Sequence, residues 1–273
     1  MLYDTHAHLN MKAFKNDWEH VAAEALAQHV IYNNVGTEKT TSQRAVDLAD
    51  GKNVFAVVGL HPSHTVFEDL DEDISREEKF DYHFYSQLAR DPKVVGIGEC
   101  GLDYFRIPEK MALAEVKATQ HAAFEQQIEL AKELDKTLVI HTRATKDTID
   151  AYEDTLKLLE KYRLNRFLVH SFTGNWDLAE RFLKLGGYLG LNGIITFDKT
   201  GALKEVIEKM PTDKMVLETD SPFLAPPPHR GKRNIPQYVQ YVAEYIGSIN
   251  NIAVEEVAAT TTANAKRLFK IFD

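Results

Sequence analysis

An α/β chain closed into a single (β/α)8 barrel, with its active site at the C-terminal ends of the strands, is the fold this sequence predicts. Three observations predict it. Eight short apolar, β-branched runs alternate with longer helical patterns. The tips of those runs fall about 31 residues apart on average, close to one βα unit. Metal-ligating residue types gather at the tips, where barrel enzymes build their sites.

Taken in order, LYDTH (2–6) is the first strand, and DWEHVAAEALAQ after it keeps apolar residues three or four apart, as a helix requires. VIYNNVG (30–36) and VFAVVGLH (54–61) are the second and third strands. FEDLDEDISREEKFD (67–81) then reads as a solvated acidic loop entering a helix. VVGIGEC (94–100), TLVIHTR (137–143) and RFLVHSF (166–172) follow, separated by the helical patterns FEQQIELAKEL and TIDAYEDTLKLLEKY. GGYLGLN (186–192) and MVLETDSP (215–222) complete the eight, with WDLAERFLKL before the seventh. The last helix, VEEVAATTTANAKRLFKIF, is expected to pack on the outside. Runs this continuously apolar are buried on both faces, which means a parallel sheet. An open doubly wound sheet is the alternative, but no Gly-rich phosphate turn follows the first strand. Nothing reads as a linker, so residues 1–273 are expected to form one domain.

Composition bounds the setting. No apolar run approaches the ~20 residues that span a bilayer. MLYDTHAHLN lacks a basic segment leading into an apolar stretch, and Cys100 is the single cysteine. A reducing, cytoplasmic setting is expected. Lys and Arg number 32 against 41 Asp and Glu, a net charge of −9. That excludes a protein that coats nucleic acid through its overall charge, though not a nuclease with local cations. Neither a membrane nor an obligate protein partner is expected.

The chemistry sits at the strand tips. His6 and His8 are two positions apart, so on a strand both imidazoles face one way; on a helix they would be about 200° apart. Glu99, His141, His170 and Asp220 end the fourth, fifth, sixth and eighth strands. One such histidine would be an ordinary packing residue. Six ligand-type residues at the strand ends make a metal site. Four imidazoles and two carboxylates exceed one tetrahedral shell and suit two divalent ions about 3.5–4 Å apart, with Glu99 as the bridge. The donor set fits Zn, Mn, Fe, Co or Ni, and Mg with waters completing the shell.

A second set points to an anionic substrate. PPPHRGKRNIP (226–236) carries Arg230, Lys232 and Arg233 after the last strand, a position where barrels often bind phosphate. Arg143 shares a strand face with His141, and a cation there needs an anion between it and the metals. His61, before Pro62, is a further candidate phosphate contact, and His64 a weaker one. Tyr104, Phe105, Phe172 and Phe223 flank the tips and could stack on bases, although packing of the rim explains them as well. Cys100 faces away from Glu99 and reads as a small buried hydrophobe.

DTHAHL, GLHP, GECGLDY, HTR, HSFTG, ETDSPFLAP and RGKRNIP, in this order, resemble the TatD-type metal-dependent nucleases. The resemblance extends to the terminal TANAKRLF and so covers the chain. It implies a cytoplasmic TIM-barrel DNase, acting on single-stranded DNA as a 3′→5′ exonuclease. It also implies that His6, His8, Glu99 and Asp220 hold one metal, and Glu99, His141 and His170 the second. Arg143 and the RGKRN loop would lie by the scissile phosphate. The acidic insert is the main departure from the family pattern. The expected chemistry is attack of a metal-activated water on phosphorus, with Asp220 taking its proton and Arg143 stabilising the phosphoryl charge. Two rivals remain at this stage: an amidohydrolase or lactonase of small molecules, and a catalytically silent nucleic-acid-binding barrel.

Overall fold

The structure, a computed structural model, describes residues 1–66 and 78–271. Eight strands close in chain order into a parallel barrel. They are β1 (Leu2–Ala7), β2 (Val30–Val35), β3 (Val54–Val58), β4 (Val94–Asp103), β5 (Thr137–Arg143), β6 (Phe167–Val169), β7 (Tyr188–Leu191) and β8 (Met215–Leu217). Each expected strand is present. The helices are α1 (Trp18–Ala27), α2 (Lys39–Leu48), α3 (Tyr82–Leu88), α4 (Leu113–Glu133), α5 (Asp150–Tyr162), α6 (Trp176–Lys184), α7 (Ala202–Lys209), α8 (Val239–Asn250) and α9 (Val254–Phe269). The expectation for 67–81 lies, for 67–77, outside the described residues; Asp81 caps α3, its carboxylate accepting from Phe84 N–H at 3.1 Å.

Strand period decides which residues face in. Tyr3, Ile31, Phe55, Val95, Val139, Leu168, Tyr188 and Val216, one from each strand, form the interior core. Their neighbours face the helices and form the larger outer layer. The final helix departs from expectation. Rather than lying on the outside, α9 closes the N-terminal end of the barrel. Its Leu268 and Phe269 join the interior cluster, Phe269 stacks on Tyr3 at 6.3 Å, and Asn264 donates to the carbonyls of Thr212 and Met215. With that end stoppered, the C-terminal ends are the open mouth. Among the described residues no helix is long and apolar enough to cross a membrane.

The fourth strand has a feature that sequence period does not show. Between Ile97 and Cys100 its register on β5 slips, three residues passing two on the partner. Gly98 and Gly101 bracket this bulge at φ +147° and +138°, values that disfavour any side chain. A Cβ on Gly101 would lie 2.0 Å from the carbonyl oxygen of His141. The close approach of β4 to β5 is what brings Glu99 and Asp103 against the His141 ring. Gly101→Ala is expected to destabilise the fold by about 3 kcal/mol or more, from positive-φ strain plus overpacking. A denaturant midpoint equal to the parent's would refute this.

Candidate metal centre

Glu99 stands at the centre. Its Oε2 lies 3.2 Å from His6 Nε2 and 3.8 Å from His8 Nε2. Its Oε1 lies 3.0 Å from His141 Nδ1, 3.5 Å from His61 Nε2 and 3.7 Å from His170 Nε2. The two oxygens therefore serve two different groups of imidazoles. Asp220 Oδ1 completes the ring, 3.4 Å from His8 Nε2 and 3.8 Å from His170 Nε2. Asp220 is held with φ +57° in the left-handed region, and its N–H donates to the His6 carbonyl at 2.8 Å. The structure thus gathers His6, His8, Glu99, His141, His170 and Asp220 at one mouth.

The second nitrogen of each histidine shows what the first can do. His8 Nδ1 lies 2.8 Å from the Val35 carbonyl, which only accepts. Nδ1 therefore carries a proton, and Nε2 is the nitrogen that faces Glu99 and Asp220. A lone pair against two carboxylates needs positive charge between them, either a proton or a cation. His170 Nδ1 lies 3.0 Å from Glu218 Oε1 and His141 Nε2 lies 3.1 Å from Asp103 Oδ2. These are carboxylate–histidine pairs of the kind that orient metal ligands, and they leave His170 Nε2 and His141 Nδ1 to face Glu99. His61 is the opposite case. Its Nδ1 accepts from Ser63 N–H at 3.1 Å, so the proton is on Nε2, and a donor points into the pocket. The donor set of imidazole nitrogens and carboxylate oxygens fits divalent metal, with His61 standing apart as a hydrogen-bond donor.

Electrostatics agree with this sorting. Burial raises the Glu99 carboxyl, but the imidazoles gathered around it outweigh that and hold it well below the usual carboxylate range. Burial and His141 keep the His61 ring neutral. His6 and His170 stack with centroids 3.5 Å apart, so both cannot be charged. Burial and His170 push His6 down. His170 goes up to about 10 because Glu218, Glu99 and Asp220 outweigh its burial. His141 likewise goes up to about 9 against its burial, through Asp103 and Glu99. These two imidazoles favour the folded, metal-free protein below their ordinary value of 6.5, and that contribution is lost as pH rises through about 9 and 10. A metal ion must displace their protons. Metal binding at pH 7.5 is therefore expected to release at least about one proton and to tighten toward pH 9. Calorimetry in two buffers of different ionisation enthalpy checks it, and zero net release would refute it.

Asp103 and Glu218 were not singled out in the sequence, although both lie inside quoted motifs, GECGLDY and ETDSP. Arg106 was also missed; with Arg143 it lines a pocket of about 600 Å³ above Glu99, as do His61, Asp220 and Phe223. The basic loop after β8 lies apart from this pocket. None of Arg230, Lys232 and Arg233 lines that pocket. Arg233 is clamped by Asp17, Nη1 to Oδ1 at 3.0 Å and Nη2 to Oδ2 at 2.5 Å, and lies over the Phe14 ring. It is a structural tie to the segment before α1. Arg230 lies over Phe197 at 4.4 Å, and Lys232 is exposed on the loop. Cys100 is buried as expected, its thiol directed to the Val139 carbonyl at 3.5 Å.

Comparison with known proteins agrees with this geometry. The TatD-related DNase family model matches residues 3–270. YabD of Bacillus subtilis, named as a metal-dependent hydrolase, is 38% identical over 99% of this chain and 100% of its own length. A protein of Citrobacter rodentium named 3′-5′ ssDNA/RNA exonuclease TatD is 32% identical over 99% of this chain and 98% of its own. The crystal structure of YjjV, a TatD homologue of Escherichia coli, superposes with a TM-score of 0.82 at 28% identity, covering 99% of this chain and 98% of that one.

Proposed function

The chain belongs to the TatD-related DNase family of metal-dependent hydrolases, and from that premise we propose that it hydrolyses phosphodiester bonds of single-stranded DNA, removing nucleotides from the 3′ end. The observation that carries this reading is the Glu99 carboxylate, whose two oxygens meet two separate imidazole groups at 3.0–3.8 Å beneath a pocket rimmed by Arg106 and Arg143. Residues so placed would hold two divalent ions, under a mouth whose arginines attract an anion. The direction of digestion follows the name of the Citrobacter rodentium relative.

His6, His8, Glu99 and Asp220 would hold one ion, and Glu99, His141 and His170 the other. Mg, Mn, Zn, Co and Ni all suit the donors. When bound, the ions supply positive charge to the phosphoryl oxygens and lower the pKa of water. The chain's own groups do the rest. Arg143, exposed and beside the centre, pairs with the phosphate. His61 donates its Nε2–H to a phosphoryl or leaving oxygen, since Ser63 holds its other nitrogen as an acceptor. Asp220 accepts the proton of the attacking water. Arg230 and Lys232, outside the pocket, would meet phosphates further along the strand. A cytoplasmic setting belongs to the same reading.

The test is digestion of an end-labelled single strand with Mg, Mn and Zn compared, alongside a duplex, an RNA strand and a panel of lactones and dipeptides. Stepwise shortening of the single-stranded DNA from its 3′ end, dependent on metal, is expected. Turnover of a lactone or dipeptide with intact DNA would overturn the proposal.

A further inference from the structure

Among the described residues the exposed large hydrophobic side chains are Met1, Phe105, Ile107, Ile149 and Phe223. All but Met1 lie on loops that follow strands β4, β5 and β8, on the face that carries the metal centre. Packing of the rim does not account for them. The other two aromatic candidates, Tyr104 and Phe172, are buried at 0% and 1% exposure, whereas Phe105 and Phe223 are 48% and 47% exposed. Their positions are opposed. In a closed barrel of eight strands in chain order, β4 and β8 are four strands apart, so Phe105 and Phe223 stand on opposite edges of the mouth. Each is tied to the site. Phe223 lines the pocket with its ring 6.4 Å from that of His8, edge to face. Phe105 carries the Arg143 guanidinium 3.9 Å from its ring centroid, and Arg143 lines the pocket from that side.

We propose that Phe223 and the Arg143–Phe105 pair are two base-stacking platforms that grip unstacked bases on either side of the phosphate held at the metal centre. This rests on the phosphodiester reading above and specifies how the strand is held. Every base offers a flat π-face to an aromatic ring or a guanidinium plane, so such platforms tolerate any sequence. They also require bases that are free of a partner strand. A duplex keeps its bases stacked on each other and cannot present two of them to opposite edges of one mouth. Single-strand preference would thus come from the two rings, and hydrolysis from the centre between them.

The proposal is tested on the whole chain loaded with Mn, using strands with phosphorothioate linkages, which resist hydrolysis. Fluorescence anisotropy compares a labelled short single strand with the same strand carrying abasic sites. The parent is expected to prefer the base-bearing strand about a hundredfold, about tenfold for each platform. Phe105→Ala and Phe223→Ala should each lower that preference about tenfold, and the double variant should bring it near one. Phe105→Trp and Phe223→Trp should keep it. Equal binding of both strands by the parent, or an undiminished preference in the double variant, would overturn the platforms. Digestion of the same base sequence with ordinary phosphodiester linkages and Mn separates the two claims: a parent that shortens DNA while the preference fails these tests loses the platforms and keeps the nuclease reading.

Discussion

Glu99→Gln is expected to lower metal-dependent hydrolysis by at least about a thousandfold, with measurable loss of bound metal. The substitution keeps size and shape, so it isolates charge. Glutamine offers one carbonyl oxygen and one NH2 group, which cannot bond a cation. One of the two imidazole groups around residue 99 would then face a donor in place of an acceptor. The charge that His141, His170, His6 and His8 share would also be gone. Both expected ion positions use this carboxylate, so the loss is larger than for any ligand that serves one. Metal content by elemental analysis and kcat/KM on a single strand measure the effect. A Glu99→Gln protein with full metal and activity within tenfold of the parent would remove Glu99 from the bridging role.

The strands were legible because barrel strands are apolar on both faces and short, and most of the runs ended in a polar residue that had no packing reason to be there. The same logic found Glu99 and five of the residues that the structure gathers with it. It reached no further because it read only the polar side chains at the end of each apolar run. Asp103 and Glu218 lie four residues beyond Glu99 and two before Asp220, and only the structure shows that Asp103 bonds the far nitrogen of His141 and that Glu218 lies beside that of His170. The tautomer of His61 depends on a backbone N–H two residues on. Periodicity carries no such information.

The basic loop divides in a way that its sequence does not show. Arg230, Lys232 and Arg233 look alike in sequence, but a partner 216 residues away, Asp17, engages the Arg233 guanidinium at both nitrogens. The aromatic residues divide in the same manner. Tyr104 and Phe105 are neighbours, and the turn after β4 sends one ring into the core and the other to the mouth. The position of α9 was hidden for a related reason. A helix that closes a barrel end and one that lies along its side bury the same kind of apolar face; what differs is which strands' first residues it meets.

Asp220→Asn is expected to lower kcat by about a hundredfold to ten-thousandfold while leaving stability near that of the parent. Four facts combine to give that expectation. Asparagine adopts the left-handed backbone that residue 220 requires, so the φ of +57° imposes no new strain. The side chain of Asp220 is 16% exposed, against 5% for Glu99 and 1% for Asp103, which makes it the carboxylate of the centre that meets entering water. Burial raises its carboxyl, but His170 and the His8 hydrogen bond hold it below the usual range, so it is ionised and able to accept a proton throughout neutral pH. Asn keeps an oxygen that can face a metal but has no basicity. Two roles that coincide in Asp220 thereby separate. If it only held an ion, added metal would restore the variant toward parental turnover. If it takes the proton, saturating metal leaves kcat low, and the parent's acid limb in the pH profile is lost from the variant. Retained kcat in Asp220→Asn at saturating metal would assign the proton to another group and leave Asp220 as a ligand alone.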